Sequence, residues 1–227
     1  MRHTEVADLD RFKTGEMTIR PGRPFMHEGV GQGGLFRLQS GMGLQSVNLP
    51  DGRRQVTCML VPDDVIGIED GFLDTVSRTA EATTELRLSV YDKRGFLTHL
   101  CENPKRATTL VRLLSLSERR ATDQMVTLGQ RGAAESICWA VYRFYRRLDA
   151  ISMTHPFGEG GVSFPFPYRQ RDLADALGLS LVHTNKTLAR LRDLDLVHWR
   201  GDRIEVAAVT RLRTHAGIPD REDDAFD

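Results

Sequence analysis

The sequence predicts an α+β chain in three parts: an N-terminal double-stranded β-roll, a long helix, and a C-terminal unit of short helices followed by a two-stranded wing. Three observations carry that expectation. From Met17 to Tyr91 short apolar alternations are broken by Gly, Pro and Asp, the texture of an all-β unit. From Lys105 to Leu128 there is no Gly or Pro, and apolar residues recur at heptad spacing. From Arg169 to Val206 a helix pattern, a glycine, a second helix pattern and two short β-branched runs follow in order. The boundaries expected are 1–104 for the roll, 105–130 for the long helix and 131–227 for the last unit.

The bulk numbers set the class. A chain of 227 residues with 40% hydrophobic and 27% charged residues reads as an ordinary globular protein of about two compact units. The formal net charge is zero, so an affinity for polyanions must come from where charges sit. Cys58, Cys101 and Cys138 lie far apart and form no C-x-x-C pair, which points away from zinc ribbons and disulfide frameworks and toward a reduced compartment. The first residues hold scattered charge with no apolar run of signal-peptide length, and no segment is long and apolar enough to span a bilayer. A cytoplasmic protein without membrane contact is expected.

In the roll the clearest element is a hairpin. Leu44, Val47 and Leu49 precede Pro50-Asp51-Gly52, and Val56, Cys58 and Leu60 follow. Asp-Gly between alternating runs is a turn signal because both residues tolerate positive φ. Pro21-Gly22, Ser40-Gly41 and Pro62-Asp63-Asp64 mark further strand ends.

On the long helix Val111, Leu114, Ala121, Met125 and Leu128 occupy a and d positions, interrupted once by Glu118. Periodicity alone leaves two readings open: this seam packs on its own β unit, or it pairs with a second copy. Gly129 is expected to break the helix. A further helix is expected from about Ala133 to Ile151, burying Ile137, Val141, Phe144, Tyr145 and Leu148. His155 to Gly161 reads as a loop by composition, and the acidic tail after Asp220 as disordered.

In the last unit Leu173, Ala174 and Leu177 share a helix face, Gly178 supplies a turn that needs positive φ, Leu179 fills the corner, and Ser180 caps a helix from Leu181 to about Asp193. Small Ala174 lets the two helices approach, which gives a helix-turn-helix. Val197-His198-Trp199 and Ile204-Glu205-Val206 then flank the polar tip Arg200-Gly201-Asp202-Arg203. Between Pro167 and His215 nine basic residues face six acidic ones, an excess of three in a neutral chain. Local basicity of this kind is the electrostatic footprint of phosphate contact.

The segment from Gly178 through Leu181-Val182-His183-Thr184-Asn185-Lys186 to Leu188 resembles the helix-turn-helix of the Crp/Fnr family of bacterial transcription regulators. So do the punctuated β-roll, the long helix, Leu128-Gly129-Gln130-Arg131 at the hinge, and Met153-Thr154-His155-Pro156 with Gly158 after it, the match running from about Met17 to Thr214. The resemblance implies a roll of cyclic-nucleotide-binding type, a winged helix-turn-helix, double-stranded DNA with a two-fold symmetric site as partner, and a homodimer. It assigns Val111, Leu114, Ala121, Met125 and Leu128 to the dimer interface. It also implies that the segment around His155 and Gly158 looks like the loop through which the catabolite activator touches RNA polymerase.

The DNA-facing candidates are Arg169, Ser180, Leu181, Val182, His183, Asn185, Lys186, Arg190, Arg200 and Arg203. Lys186 can reach a guanine edge or a phosphate, Asn185 can pair with adenine, and Val182 can contact a thymine methyl. Family members that read well-known half-sites carry Glu at the position of Val182 and Arg at that of Lys186, so their half-site does not carry over. Thr184 and Thr187 stand where aliphatic residues are common.

For the effector, the candidate pocket is Gly67, Ile68, Glu69, Arg78 and Thr79. Cyclic-nucleotide-binding relatives hold phosphate and ribose with Gly-Glu and, some ten residues on, Arg-Ser or Arg-Thr and Ala. Arg78-Thr79-Ala80 matches the second half, but Gly67-Ile68-Glu69 moves the carboxylate to the neighbouring position, the opposite face of a strand. A cyclic nucleotide is therefore not expected, the effector stays unknown, and no iron-sulfur cluster is expected because the N-terminal cysteine cluster of oxygen-sensing relatives is lacking.

Two other motifs carry less. Gly29-Val30-Gly31-Gln32-Gly33-Gly34 spells a dinucleotide fingerprint, but the run after it ends at Ser40-Gly41 and opens no helix. His27, His99 and His155 have no ligand partners at metal spacing, and Cys101 beside His99 is the one candidate haem or redox position. The rival reading is a cupin-type metalloenzyme with structural C-terminal helices, which would need an H-x-H pair that this chain lacks. No enzyme activity is expected.

Overall fold

The computed structural model describes residues 9–31, 33–68, 70 and 75–219, with the side chain of Lys105 outside the description. Glu69 and the acidic tail after Asp220 lie outside the described residues. The chain divides into two compact units, Met1–Asp123 and Gln124–Asp227.

The first unit is a roll of two antiparallel sheets. Its strands are β1 (Lys13–Ile19), β2 (Pro24–Met26), β3 (Leu35–Ser40), β4 (Gly43–Asn48), β5 (Arg54–Leu60), β6 (Val65–Ile66), β7 (Thr79–Ala82) and β8 (Leu86–Tyr91). One sheet runs β1-β8-β3-β6 and the other β2-β7-β4-β5. The Asp-Gly hairpin forms as its turn chemistry demands: Asn48 pairs with Arg54, the Gly52 N–H donates to the Leu49 carbonyl at 2.9 Å, and Gly52 has φ +85°. A bulge between Gln45 and Ser46 breaks the alternation, so both polar side chains are buried along with Leu44. Between the sheets lies an apolar core including Met26, Phe36, Leu38, Leu60, Ile66 and Leu88.

A second core closes the roll where α1 (Lys93–Cys101) and the start of α2 (Pro104–Gln130) pack on it, with Leu35, Ile68, Tyr91, Phe96, Leu100 and Leu110 buried and Leu113 against them. The face of α2 that meets its own roll thus carries Leu110 and Leu113, not the heptad seam. Val111 and Met125 are 62% and 67% exposed, and Leu114, Ala121 and Leu128 are exposed as well.

Gly129 does not break the helix, contrary to the sequence expectation; α2 runs through it to Gln130. A glycine inside a helix costs only about 1 kcal/mol. Side-chain bonds on the surrounding turns offset that: Arg131 donates to Thr127 Oγ1 at 2.8 Å and to the Ala216 carbonyl at 3.3 Å, and Gln124 Nε2 donates to the Ala176 carbonyl.

In the second unit α3 (Ala133–Asp149) buries Ile137, Val141, Phe144 and Leu148 as expected, and also Cys138, Trp139 and Tyr142, whereas Tyr145, expected inside, is only half-buried. Burial pushes the Cys138 thiol up to about 12, with the Glu135 carboxylate adding to the effect. The stretch from His155 to Gly161, expected as a loop, is instead a β-hairpin. Strand β9 (His155–Phe157) pairs with β10 (Gly161–Pro165) around a turn in which Gly158 and Gly160 have positive φ. No helix among the described residues is long and apolar enough to cross a membrane.

Candidate nucleic-acid interface

Two short helices and a sheet build the site. Helix α4 (Gln170–Leu177) begins where the buried Asp172 carboxylate accepts the Arg169 N–H at 2.9 Å, which leaves the Arg169 guanidinium exposed. It ends at Gly178, whose φ of +63° and ψ of +25° lie in the left-handed region that glycine enters at no steric cost. Its N–H and that of Leu179 both return to the Ala174 carbonyl, so the chain turns sharply and Leu179 is half-buried in the corner.

Ser180 then caps α5 (Leu181–Asp193), its Oγ accepting the His183 N–H at 3.2 Å. Thr184, Thr187, Leu188 and Leu191 face inward. The Thr184 hydroxyl, fully buried, donates to the Ser180 carbonyl at 3.1 Å. Burial of a hydroxyl is tolerated there because that bond satisfies it.

The outward face of α5 is what remains. Leu181, Val182, His183, Asn185, Lys186 and Arg190 are all exposed. The side chains of Asn185 and Lys186 make no hydrogen bond or ion pair with other described residues. Helix α3 packs against both α4 and α5 from behind, so this face is held on a rigid base.

The wing consists of β11 (His198–Arg200) and β12 (Arg203–Val206), which joins β10 to make the sheet β11-β12-β10-β9. Its tip is fixed by Trp199, whose Nε1–H donates to the Gly201 carbonyl at 3.1 Å and whose ring meets Phe166 edge-on at 4.8 Å. Arg200 is exposed and pairs with Glu205 at 3.1 Å. Arg203 lies lower on the wing, donating through Nε and Nη2 to Ser163 Oγ at 3.2 and 3.1 Å. The sequence did not foretell that cross-sheet bond, since nothing in the heptad or turn patterns relates residues forty positions apart.

The acidic residues of the unit are largely engaged locally. Asp172 caps α4, Asp195 holds His198 at 2.6 Å, and Asp193 and Glu205 pair with Arg192 and Arg200. What projects from α4, α5 and the wing is therefore an unpaired cationic and amide surface around Arg169, Asn185, Lys186 and Arg190. Such a surface can neutralise phosphates and present donors to base edges.

The matches to known proteins point the same way. Residues 142–214 match the model of the Crp-like helix-turn-helix domain. The chain is 24% identical over 214 residues, 94% of its length and 84% of the relative's, to the transcriptional activator protein FnrL of Cereibacter sphaeroides. It is 26% identical over 198 residues, 87% of its length and 85% of the relative's, to the nitrogen fixation regulation protein FixK of Rhizobium meliloti. The structure of FixK2 from Bradyrhizobium japonicum superposes with a TM-score of 0.74 at 23% identity, covering 88% of this chain and 95% of that one.

Its second unit thus carries a Crp-like helix-turn-helix domain, and along most of its length the chain is similar to regulators of the Crp/Fnr type. This Crp/Fnr-type transcription regulator carries its helix-turn-helix in the second unit and a cyclic-nucleotide-binding-like roll in the first.

In that roll three of the regulator's candidate effector residues, Gly67, Ile68 and Thr79, make contacts within the fold. Gly67 has φ +93°, and a Cβ there would press on the Gly34 carbonyl oxygen inside van der Waals distance, so its glycine is demanded by the fold. Ile68 is buried in the second apolar core, against Leu35 and Tyr91, where a ligand's hydroxyl would find no partner. Thr79 Oγ1 accepts the Glu28 N–H at 3.2 Å, and Arg78 is half-buried just before β7. Glu81, on the same face of β7 as Thr79, pairs with Arg54 at 3.0 Å. No cluster of His, Cys, Asp and Glu suited to a metal occurs among the described residues; the His99 ring lies tilted against Phe12 with centroids 5.1 Å apart, and Cys101 is exposed.

Proposed function

We propose that this regulator works as a homodimer on a two-fold symmetric DNA site, with its roll passing a signal to the DNA-binding unit. The observation that supports this is the seam of α2. Val111, Leu114, Ala121, Met125 and Leu128 recur at heptad spacing, yet among the described residues all five remain exposed. A contiguous apolar stripe left open on a soluble chain marks an interface, and a second copy of the same helix is its complement. Glu118, the polar a position, would then set the register of the pair at some cost in stability.

In this reading 1–104 senses, 105–130 dimerises and 131–227 binds DNA. Arg169, Ser180, Leu181, Val182, His183, Asn185, Lys186, Arg190 and Arg200 face the duplex, with Arg203 at the base of the wing. The exposed strand β9 and its turn into β10 are the face offered to RNA polymerase. The effector enters near Gly67, Ile68, Glu69, Arg78 and Thr79 and is not a cyclic nucleotide, because Ile68 gives a ribose hydroxyl nothing to bond. A cytoplasmic location accompanies this role.

Binding to a palindromic duplex selected from random sequence tests the proposal. The logarithm of affinity should fall linearly with the logarithm of salt as counterions are released. Lys186→Ala should cost roughly 1–3 kcal/mol and relax preference at one half-site position. Equal weakening on every sequence would reduce Lys186 to a phosphate contact, and no salt-dependent binding at all would remove the DNA reading.

A further inference from the structure

We propose that Val182 makes operator recognition methyl-dependent: at one base pair of each half-site the protein distinguishes a pyrimidine bearing a C5 methyl from one without it. This deepens the DNA-binding reading above and rests on it. Val182 is 64% exposed on the first turn of α5, and Leu181 beside it is 42% exposed. They stand one helical turn before Lys186 and Asn185 respectively, so two apolar and two hydrogen-bonding side chains form adjacent i, i+4 pairs on one face.

Neither aliphatic side chain serves its own fold. The inward face of α5 is already complete with Thr184, Thr187, Leu188 and Leu191, and the Ser180 cap secures the first turn without help from them. A β-branched side chain on a capped helix has a nearly fixed χ1, so presenting it to a partner costs little entropy.

What it can recognise follows from its chemistry. In the major groove every base edge offers hydrogen-bond donors or acceptors, and the one apolar group is the C5 methyl of thymine. Valine has no acceptor for the cytosine amino group, so an unmodified C·G pair gains nothing from it. A 5-methylcytosine restores the methyl while leaving the pairing unchanged. Lys186, one turn on, would contact a base pair close to the methyl-bearing one and so fix the register in which Val182 meets it.

The test uses the full-length protein on the selected palindrome, with each thymine of the half-site replaced in turn by deoxyuridine. Replacement at one position, made in both half-sites, should weaken binding roughly fifteenfold, about fourfold for each methyl removed from contact. Val182→Ala, an exposed substitution that leaves the fold intact, should bind thymine and uracil duplexes equally at that position. Changing the same pair to C·G should weaken binding, and 5-methylcytosine should recover part of the loss.

A uracil penalty that persists undiminished in Val182→Ala would assign the effect to DNA shape and overturn the proposal. Tight, salt-dependent binding with no uracil penalty at any position would overturn it while leaving the DNA-binding reading in place. Failure to bind any selected duplex would overturn both.

Discussion

Phe144→Ala is expected to remove about 3–5 kcal/mol from the stability of the second unit, the cost of emptying a packed aromatic site. The ring is buried on α3 and meets Phe166 edge-on at 4.9 Å, Tyr168 at 5.6 Å and Phe164 at 6.2 Å. Those three neighbours come from β10 and the segment leading to α4, so one ring joins the helix to the sheet and to the entry of the helix-turn-helix. Domains of this size are stable by about 5–15 kcal/mol, so the loss is a large part of the total. Urea denaturation followed by tryptophan fluorescence would measure it, since Trp139 and Trp199 both lie in this unit. Phe144→Leu should cost less than half as much because it keeps most of the volume. A loss below about 1 kcal/mol for the alanine variant would mean that the aromatic cluster does not bear the unit's stability.

Met125→Lys should convert a dimer to monomers. In the proposed pair an ammonium at this a position would be desolvated against its own copy, and an uncompensated buried charge costs about 3–5 kcal/mol. The dimer dissociation constant should therefore rise at least a hundredfold, roughly 2.7 kcal/mol or more, and operator affinity should fall with it. Because Met125 is 67% exposed in the single chain, the variant keeps its folded protomer, which circular dichroism would verify. Sedimentation at concentrations where the unaltered protein is dimeric is the measurement. An undisturbed dimer would place the interface elsewhere and leave the exposed seam without its proposed partner.

How much of this was legible in the sequence depended on how local the signal was. The Asp51-Gly52 hairpin and the Gly178–Ser180 turn were readable because their information lies within a few residues: a positive φ at the glycine and a cap from the serine. The heptad spacing of α2 was equally plain, but a period does not say what covers it. The residues packed on the roll are Leu110 and Leu113, outside the seam, and the seam itself stays exposed. Gly129 misled because a lone glycine is a weak breaker when Gln124, Thr127 and Arg131 tie the same turns down. The hairpin at His155 was hidden for a different reason: its second strand is held by β12, about forty residues later. Pairing of that range leaves no trace in composition. Ile68 illustrates the middle case, since the sequence marked it as the wrong residue for a nucleotide pocket but did not reveal that it belongs to an apolar core.

Cys138 turns the second unit into its own clock. The thiolate, not the thiol, attacks an alkylating reagent, and a thiol held near 12 is almost wholly protonated at neutral pH. Enclosed within α3 and fully buried, it reacts only when the helices around it part, whereas Cys101 on the surface of the roll reacts at once. Peptide-resolved mass spectrometry of protein quenched at intervals would then show a fast adduct at Cys101 and a slow one at Cys138, with the half-buried Cys58 followed on its own peptide. The slow rate reports the free energy of opening around α3, with no probe attached and no residue changed. It should lengthen when operator DNA is bound, because a ligand that holds the closed form lowers the population of the open one. Equal rates at Cys101 and Cys138 would mean that this core is open to solvent on the timescale of the reagent.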